Sequence, residues 1–121
     1  MLGYKAFAAG LPIPLAEAIC KDVGTALSAA GTTQATATEL VNADSELTTV
    51  AAGAGVVLSA SLAAGDTQTV FNAGANAVKV YPTSGMRINA LATNAAMLLA
   101  TNTGCIFKCV STTRVFGVLS A

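Results

Sequence analysis

The residues able to carry chemistry are few and scattered along the chain. The 121-residue sequence contains no histidine, which removes the usual general base, the Ser-His and Cys-His dyads and the commonest zinc ligand. Asp44 and Glu46 lie in a predicted turn before a strand, where they indicate either a calcium site or, more commonly, a solvated acidic turn. A glycosidase built on Glu39 and Glu46 would need a sugar-stacking platform, and only 5% of the residues are aromatic. We therefore expect neither enzymatic activity nor a cofactor.

The three cysteines, Cys20, Cys105 and Cys109, are expected to be free thiols. Cys105 and Cys109 flank three residues of a predicted strand, which puts them on one face about 13 Å apart, too far for a disulfide. We expect both to act as small buried apolar side chains in a protein made in a reducing cytoplasm. The Gly53-Ala54-Gly55 segment precedes a predicted strand and not a helix, so it indicates a turn and not a phosphate loop.

Charge and hydropathy exclude two classes of partner. Six Lys and Arg balance six Asp and Glu, so the chain lacks the basic surface that nucleic-acid backbones require. The apolar stretch 47–64 is interrupted by Thr, Gly and Ser, which argues against a membrane-spanning helix. The hydrophobic fraction of 54% includes many alanines, which gain little from burial. We expect neighbouring copies to supply part of the stability; a monomer with a neutral, hydroxyl-rich surface is the alternative.

Residues 1–33 are predicted to form an N-terminal arm that differs from the rest of the chain. In residues 10–15, apolar side chains alternate with proline. Proline favours an extended backbone without internal hydrogen bonds. The apolar side chains need a surface to lie on. The predicted partner-binding residues are Leu11, Pro12, Ile13, Pro14 and Leu15. A first strand packed on its own domain is the alternative.

Residues 34–121 are predicted to form a β-domain. Short β-segments separated by turn signals about every eight to twelve residues are typical of an all-β fold, here a small β-sandwich, a jelly-roll-like domain or a barrel. The clearest predicted hairpin runs from 67–71 through the Asn- and Gly-containing turn 72–76 into 77–81. In the penultimate strand, Cys105, Phe107 and Cys109 share one face and Ile106, Lys108 and Val110 the other.

The β-region also resembles a domain that recurs in virion proteins of tailed bacteriophages. The resemblance lies in a strand, an Asn-x-Gly-Ala-Asn turn, a strand ending in Tyr-Pro, and an Ile-Asn-x-Leu segment. It runs from Gly31 to the C-terminus and is carried by residues 31–35, 47–58, 70–82, 88–91 and 94–96. Two positions depart from the pattern: Ala90 stands where Gly is usual, and Val115 where an aromatic residue often follows Thr-Arg.

This resemblance implies a structural protein of the virion. The leading interpretation is a capsid cement (decoration) protein, typically trimeric, that binds the major capsid protein on the outer capsid and bridges capsomers. A tail-fibre or spike module that binds a receptor is the alternative. We accordingly expect a homo-oligomer, a homotrimer by preference, located at the capsid surface after assembly in the host cytoplasm.

Overall fold

The computed structural model describes residues 22–120, which contain only β-strands and their connections. The prediction of an all-β fold is therefore confirmed. The ten strands in this range are β1 (Val23–Ser28), β2 (Thr38–Glu39), β3 (Asp44–Thr49), β4 (Gly55–Val57), β5 (Thr67–Asn72), β6 (Val78–Tyr81), β7 (Arg87–Ile88), β8 (Met97–Leu99), β9 (Thr103–Cys109) and β10 (Arg114–Leu119).

The strands form two sheets that enclose one hydrophobic core. A six-stranded sheet has the order β1-β3-β5-β9-β10-β7, and a four-stranded sheet has the order β2-β4-β6-β8. Each sheet sends alternate side chains inward, as the period of a β-strand requires. The largest fully buried apolar side chains are Phe107, Leu40, Leu47, Leu58, Ile88 and Leu99. They come from both sheets and the connections, so neither sheet would keep its core without the other.

The first six strands form a parallel coil. Successive strands alternate between the two sheets, and each of the first four pairs in parallel with the strand two positions further along the chain. Val23 lies beside Asp44, and Asp44 lies beside Thr69, so one circuit takes roughly 20 to 25 residues, a length typical of solenoid repeats. The arrangement is β-solenoid-like, whereas the sandwich, jelly-roll and barrel expectations imply mostly antiparallel neighbours.

The last strands close the coil with antiparallel pairs. β9 pairs with β5 on one side and with β10 on the other, and β8 pairs with β6. The β9–β10 hairpin turns at residues 110–113. Cys105, Phe107 and Cys109 all face the core, which confirms the predicted inward face of β9.

The predicted hairpin between residues 67–71 and 77–81 is wrong. β5 and β6 belong to different sheets, and residues 73–77 carry the chain from one sheet to the other. The side chain of Asn72 satisfies this corner: Nδ2 donates to the backbone oxygens of Asn76 and Leu99, both at 2.9 Å, and Oδ1 accepts from the Gly74 amide at 2.9 Å. Gly74 packs closely on Val50, since a Cβ here would lie 2.6 Å from Val50 Cγ2. A turn sequence suited to a hairpin thus builds a crossing between sheets.

Regular structure begins before the predicted domain start at residue 34. β1, within the predicted arm 1–33, forms the edge of the six-stranded sheet beside β3. Residues 1–21, including most of the predicted arm, lie outside the described residues. The structure therefore assigns residues 23–28 to the same sheet as the β-domain.

The Asn72 corner gives a test of the crossing between the sheets. Asn72→Ala would leave the Gly74 amide and the Leu99 carbonyl without their partner, and each unsatisfied buried group costs about 1–3 kcal/mol. We expect the free energy of unfolding to fall by roughly 2–4 kcal/mol in urea denaturation. Thr67→Ala, an exposed substitution on the same strand, is the control and should change stability by less than about 0.5 kcal/mol. Equal stability of the two variants would show that the corner amide is not needed.

Candidate interaction surface

The outer face of the six-stranded sheet carries the candidate site. Residues that pair laterally across a sheet share a face. Asp44 on β3 pairs with Thr69 on β5, Thr69 with Ile106 on β9, and Ile106 with Val118 on β10. Their sequence neighbours Ser45, Val70 and Phe107 are buried. The outer face is therefore defined by strand register alone.

Four of the large apolar side chains exposed on this face lie together on β5, β9 and β10, and we call them the apolar strip. They are Phe71 (47% exposed), Ile106 (49%), Phe116 (43%) and Val118 (66%). Fully burying one such side chain stabilises by about 1.5–3 kcal/mol, so covering the exposed halves of all four would contribute on the order of 4 kcal/mol. Contiguous exposed apolar surface of this kind marks sites where proteins bind one another.

Local packing holds the two aromatic rings of the apolar strip in place. Phe71 pairs with Gly104 across β5 and β9 and lies over it, since a Cβ on Gly104 would be 2.8 Å from Phe71 Cδ1. The Arg114 guanidinium lies over the Phe116 ring, 5.4 Å from its centroid, within the range of a cation–π contact. Both rings are therefore ordered before any partner arrives, which lowers the entropy cost of binding.

Charged side chains of opposite sign flank the apolar strip. Asp44 and Glu46 stand on the outer face of β3, and we call them the acidic corner. Lys108 on β9, Arg114 on β10 and Arg87 on β7 share the same face on the other side of the strip, and we call them the basic corner. β3 and β10 are three strand spacings apart, roughly 14 Å, so the two corners do not pair within one chain.

Asp44 and Glu46 lie in a different secondary-structure element from the one predicted. Asp44 and Glu46 belong to β3 itself and not to a turn before it, while Glu39 accepts a hydrogen bond from the Ala60 amide at 3.0 Å through Oε2. Among residues 22–120, no group of three His, Cys, Asp or Glu side chains is placed to hold a metal ion. The predicted partner-binding residues of the arm, Leu11, Pro12, Ile13, Pro14 and Leu15, lie outside the described residues.

A hollow of about 280 Å³ lies at the corner where the chain enters β1, β3 and β5. Its polar groups already bind one another. The Asp22 carboxylate accepts from Asn42 Nδ2 at 2.8 Å and from the Ala43 amide at 2.9 Å. Gln68 Nε2 donates to the Leu40 and Asn42 carbonyls, and Gln68 Oε1 accepts from the Ser59 amide. These groups join successive turns of the coil, so the hollow is better explained as a structural corner than as a ligand site.

The two described cysteines are free and buried, as the sequence predicts. Desolvation by burial raises the pKa of the Cys105 thiol to about 11, and a backbone hydrogen bond from Val118 opposes that shift. The thiol stays protonated at neutral pH, and the thiolate is the nucleophilic form. Cys105 is therefore a packing residue beside Phe107. Cys20 lies outside the described residues.

Within the described part of the chain, no helix is long and apolar enough to cross a membrane.

No family model matches the chain, and no curated protein or solved structure is similar to it. The function must therefore be argued from the surface and from the sequence.

The sequence contains a signal for the apolar strip. Ile106 and Val110 alternate with Cys105, Phe107 and Cys109, so both faces of β9 carry large apolar residues. An antiparallel sheet with one solvated face usually alternates apolar with polar residues. Two apolar faces on one strand indicate a second buried surface, and the register in the structure adds Phe71 and Val118 to it.

Cys105 gives a test by pH. Its pKa is 9.0 in the ordinary thiol and about 11 in the folded chain, so between these values the unfolded state releases a proton that the folded state retains. Stability should therefore fall as pH rises from about 9 to about 11. Urea denaturation at several pH values should show a shallower decrease for Cys105→Ala than for the unaltered chain. Equal decreases would mean that Cys105 ionises as readily in the folded state as in the unfolded state.

Proposed function

We propose that the chain is a structural virion protein of a tailed bacteriophage, a capsid cement (decoration) protein that binds the outer capsid and bridges capsomers. The resemblance of residues 31–121 to a domain of phage virion proteins supports this role. At the level of fold, we propose that the two packed sheets form a small sandwich whose first six strands coil, preceded by an extended N-terminal arm.

One observation carries the proposal: the described domain leaves an ordered apolar strip on the outer face of its larger sheet. Phe71, Ile106, Phe116 and Val118 are each close to half exposed or more. Such a surface is costly for a free monomer and is typical of a subunit that works inside an assembly. We propose a homo-oligomer, a trimer by preference, because cyclic symmetry lets one face be covered in every copy.

The proposed mechanism is passive. A protein that binds only the assembled shell stabilises the shell by mass action. In this proposal the Pro-containing segment Leu11–Leu15 lies on the major capsid protein, because proline favours an extended backbone that would present the apolar side chains between the prolines. The β-domain would then join neighbouring arms across a capsomer boundary. No catalytic step and no cofactor are part of this role.

A tail-fibre or spike module that binds a receptor is the second candidate. The parallel coil favours it, because solenoid coils can stack end to end into a shaft. The edge that would stack is irregular, however: β1 shifts register against β3 between Gly24 and Leu27, and Ala26 has a φ of 55°. Irregular edges discourage strand pairing between chains. This geometry supports the cement role over the shaft role.

Occupancy on capsids tests the proposed function. Deleting residues 1–15 should leave the β-domain folded by circular dichroism, because the described strands begin at Val23. It should also reduce binding of the purified protein to undecorated capsids of the parent phage and lower the heat tolerance of the decorated particles. Replacing Leu11, Ile13 and Leu15 together by Ser should have the same effect without changing the length of the arm.

Lys5→Ser is the matched control, since it alters the same segment without removing an apolar side chain, and it should bind capsids as the full chain does. Full occupancy by the truncated protein would refute the clamp. High-resolution imaging of the virion that placed the protein in the tail would favour the fibre or spike role instead.

A further inference from the structure

We propose that a second copy of this chain covers the apolar strip, oriented so that the acidic corner of each copy lies against the basic corner of its neighbour. This inference rests on the homo-oligomer in the proposed function, and it names the face and the orientation that the oligomer uses. The observation behind it is the order of charges across one sheet face: acidic, then apolar, then basic.

The charge distribution argues for a copy of the same chain as the partner. Three of the four Lys and Arg residues within residues 22–120 stand in the basic corner, Arg87, Lys108 and Arg114. Asp44 and Glu46 stand on the same face beyond the apolar strip. A partner must therefore offer a basic group, an apolar surface and an acidic group in this order, and the face itself offers that order when it is rotated. Complementary charges of this kind set partner choice and register.

Strand spacing fixes the orientation. Residues that pair across the strands form rows, and Asp44 lies in the row of Ile106 while Glu46 lies in the row of Phe71. Counted from the row of Ile106, away from Phe71, Lys108 lies in the next row and Arg114 in the row after that. With rises of about 3.3 Å per residue and strands about 4.8 Å apart, the line from the acidic to the basic corner crosses the strands at roughly 45°. A rotation axis that runs parallel to the face, above it and perpendicular to this line, passes over the apolar strip. Rotation about that axis brings opposite corners together and the apolar strips into contact.

Two closed arrangements have an axis of this direction, and both bring the acidic corner of one copy to the basic corner of another. A two-fold axis stacks two faces with their strands crossing at nearly right angles, one of the two preferred geometries of packed sheets. A three-fold axis places the acidic corner of each face beside the basic corner of the next and buries three strips at the centre. In both cases every copy is equivalent, as closed symmetry requires.

The N-terminal segment of the same chain is a weaker occupant for this face. Residues 7–15 contain apolar side chains but no charged residue. Lys5 and Glu17 flank them with one charge each, whereas the face carries two acidic residues at one corner and three basic residues at the other. A second copy satisfies the apolar strip and the two corners together, so the charges favour it.

Charge reversal tests the proposal. One variant carries Asp44→Lys and Glu46→Lys, and a second carries Arg87→Glu, Lys108→Glu and Arg114→Glu, so each has two corners of one sign. We expect the unaltered chain to form dimers or trimers at micromolar concentration by analytical ultracentrifugation. Each variant alone should associate roughly tenfold more weakly or worse, because like charges meet across the interface. An equimolar mixture of the two should recover association as mixed dimers in the two-fold arrangement. In the three-fold arrangement it should recover association only in part, because a ring of three copies of two kinds always keeps one interface of like charge.

Lys79→Glu, a charge reversal on the smaller sheet, is the control and should associate as the unaltered chain does. Circular dichroism of each variant checks folding, and Val118→Asp provides a second disruption of the face by a residue that is two-thirds exposed. If the unaltered chain associates and the reversed variants associate equally well, the face and orientation are wrong while the homo-oligomer stands. A mixture of the two variants that stays monomeric overturns the inference. If the unaltered chain is itself monomeric, both the inference and the homo-oligomer of the proposed function are overturned.

Discussion

The two-sheet coil depends on hydrogen bonds at the corners where the chain crosses from one sheet to the other. Each time the chain leaves one sheet for the other, backbone groups lose their neighbouring strand, and a buried unpaired N–H or C=O costs about as much as a lost hydrogen bond. Gln68 and Asn72, both almost fully buried on β5, supply the missing partners with their amide side chains. Because a side-chain amide both donates and accepts, one residue can join two turns of the coil.

β5 occupies the position where the two halves of the domain meet. It pairs in parallel with β3, the coil strand before it, and antiparallel with β9, the first strand of the closing hairpin. The outer face of the sheet is assembled from both halves for this reason: the acidic corner comes from β3 and the basic corner mainly from the β9–β10 hairpin. The apolar strip crosses the boundary, since Phe71 belongs to β5 and its three other members to the hairpin.

The hairpin strands bear large apolar side chains on both faces. Phe107 and Val115 point into the core, and Ile106 and Val118 point outward. A core therefore forms on one side of the sheet while apolar surface remains available on the other. Glycines across from aromatic rings support both faces: Gly104 lies beneath Phe71 outside, and Gly117 lies beside Phe107 inside. This division between a core face and an exposed apolar face suits the proposed role in an assembly.

The sequence by itself determined the all-β class, the strands near residues 67–71 and 77–81, and the inward face of Cys105, Phe107 and Cys109, because these follow from local alternation and turn residues. It did not determine which strands pair. Asn72, Gly74 and Asn76 suit a tight hairpin and a crossing equally well, since both need a polar turn with a small residue, and only the packing of Val50 and Leu99 against that segment decided for the crossing. The candidate surface depended on the same decision. Asp44, Phe71 and Arg114 are far apart in sequence. The parallel pairing of β3 with β5 and the antiparallel pairing of β5 with β9, long-range contacts without a local signal, brought them onto one face.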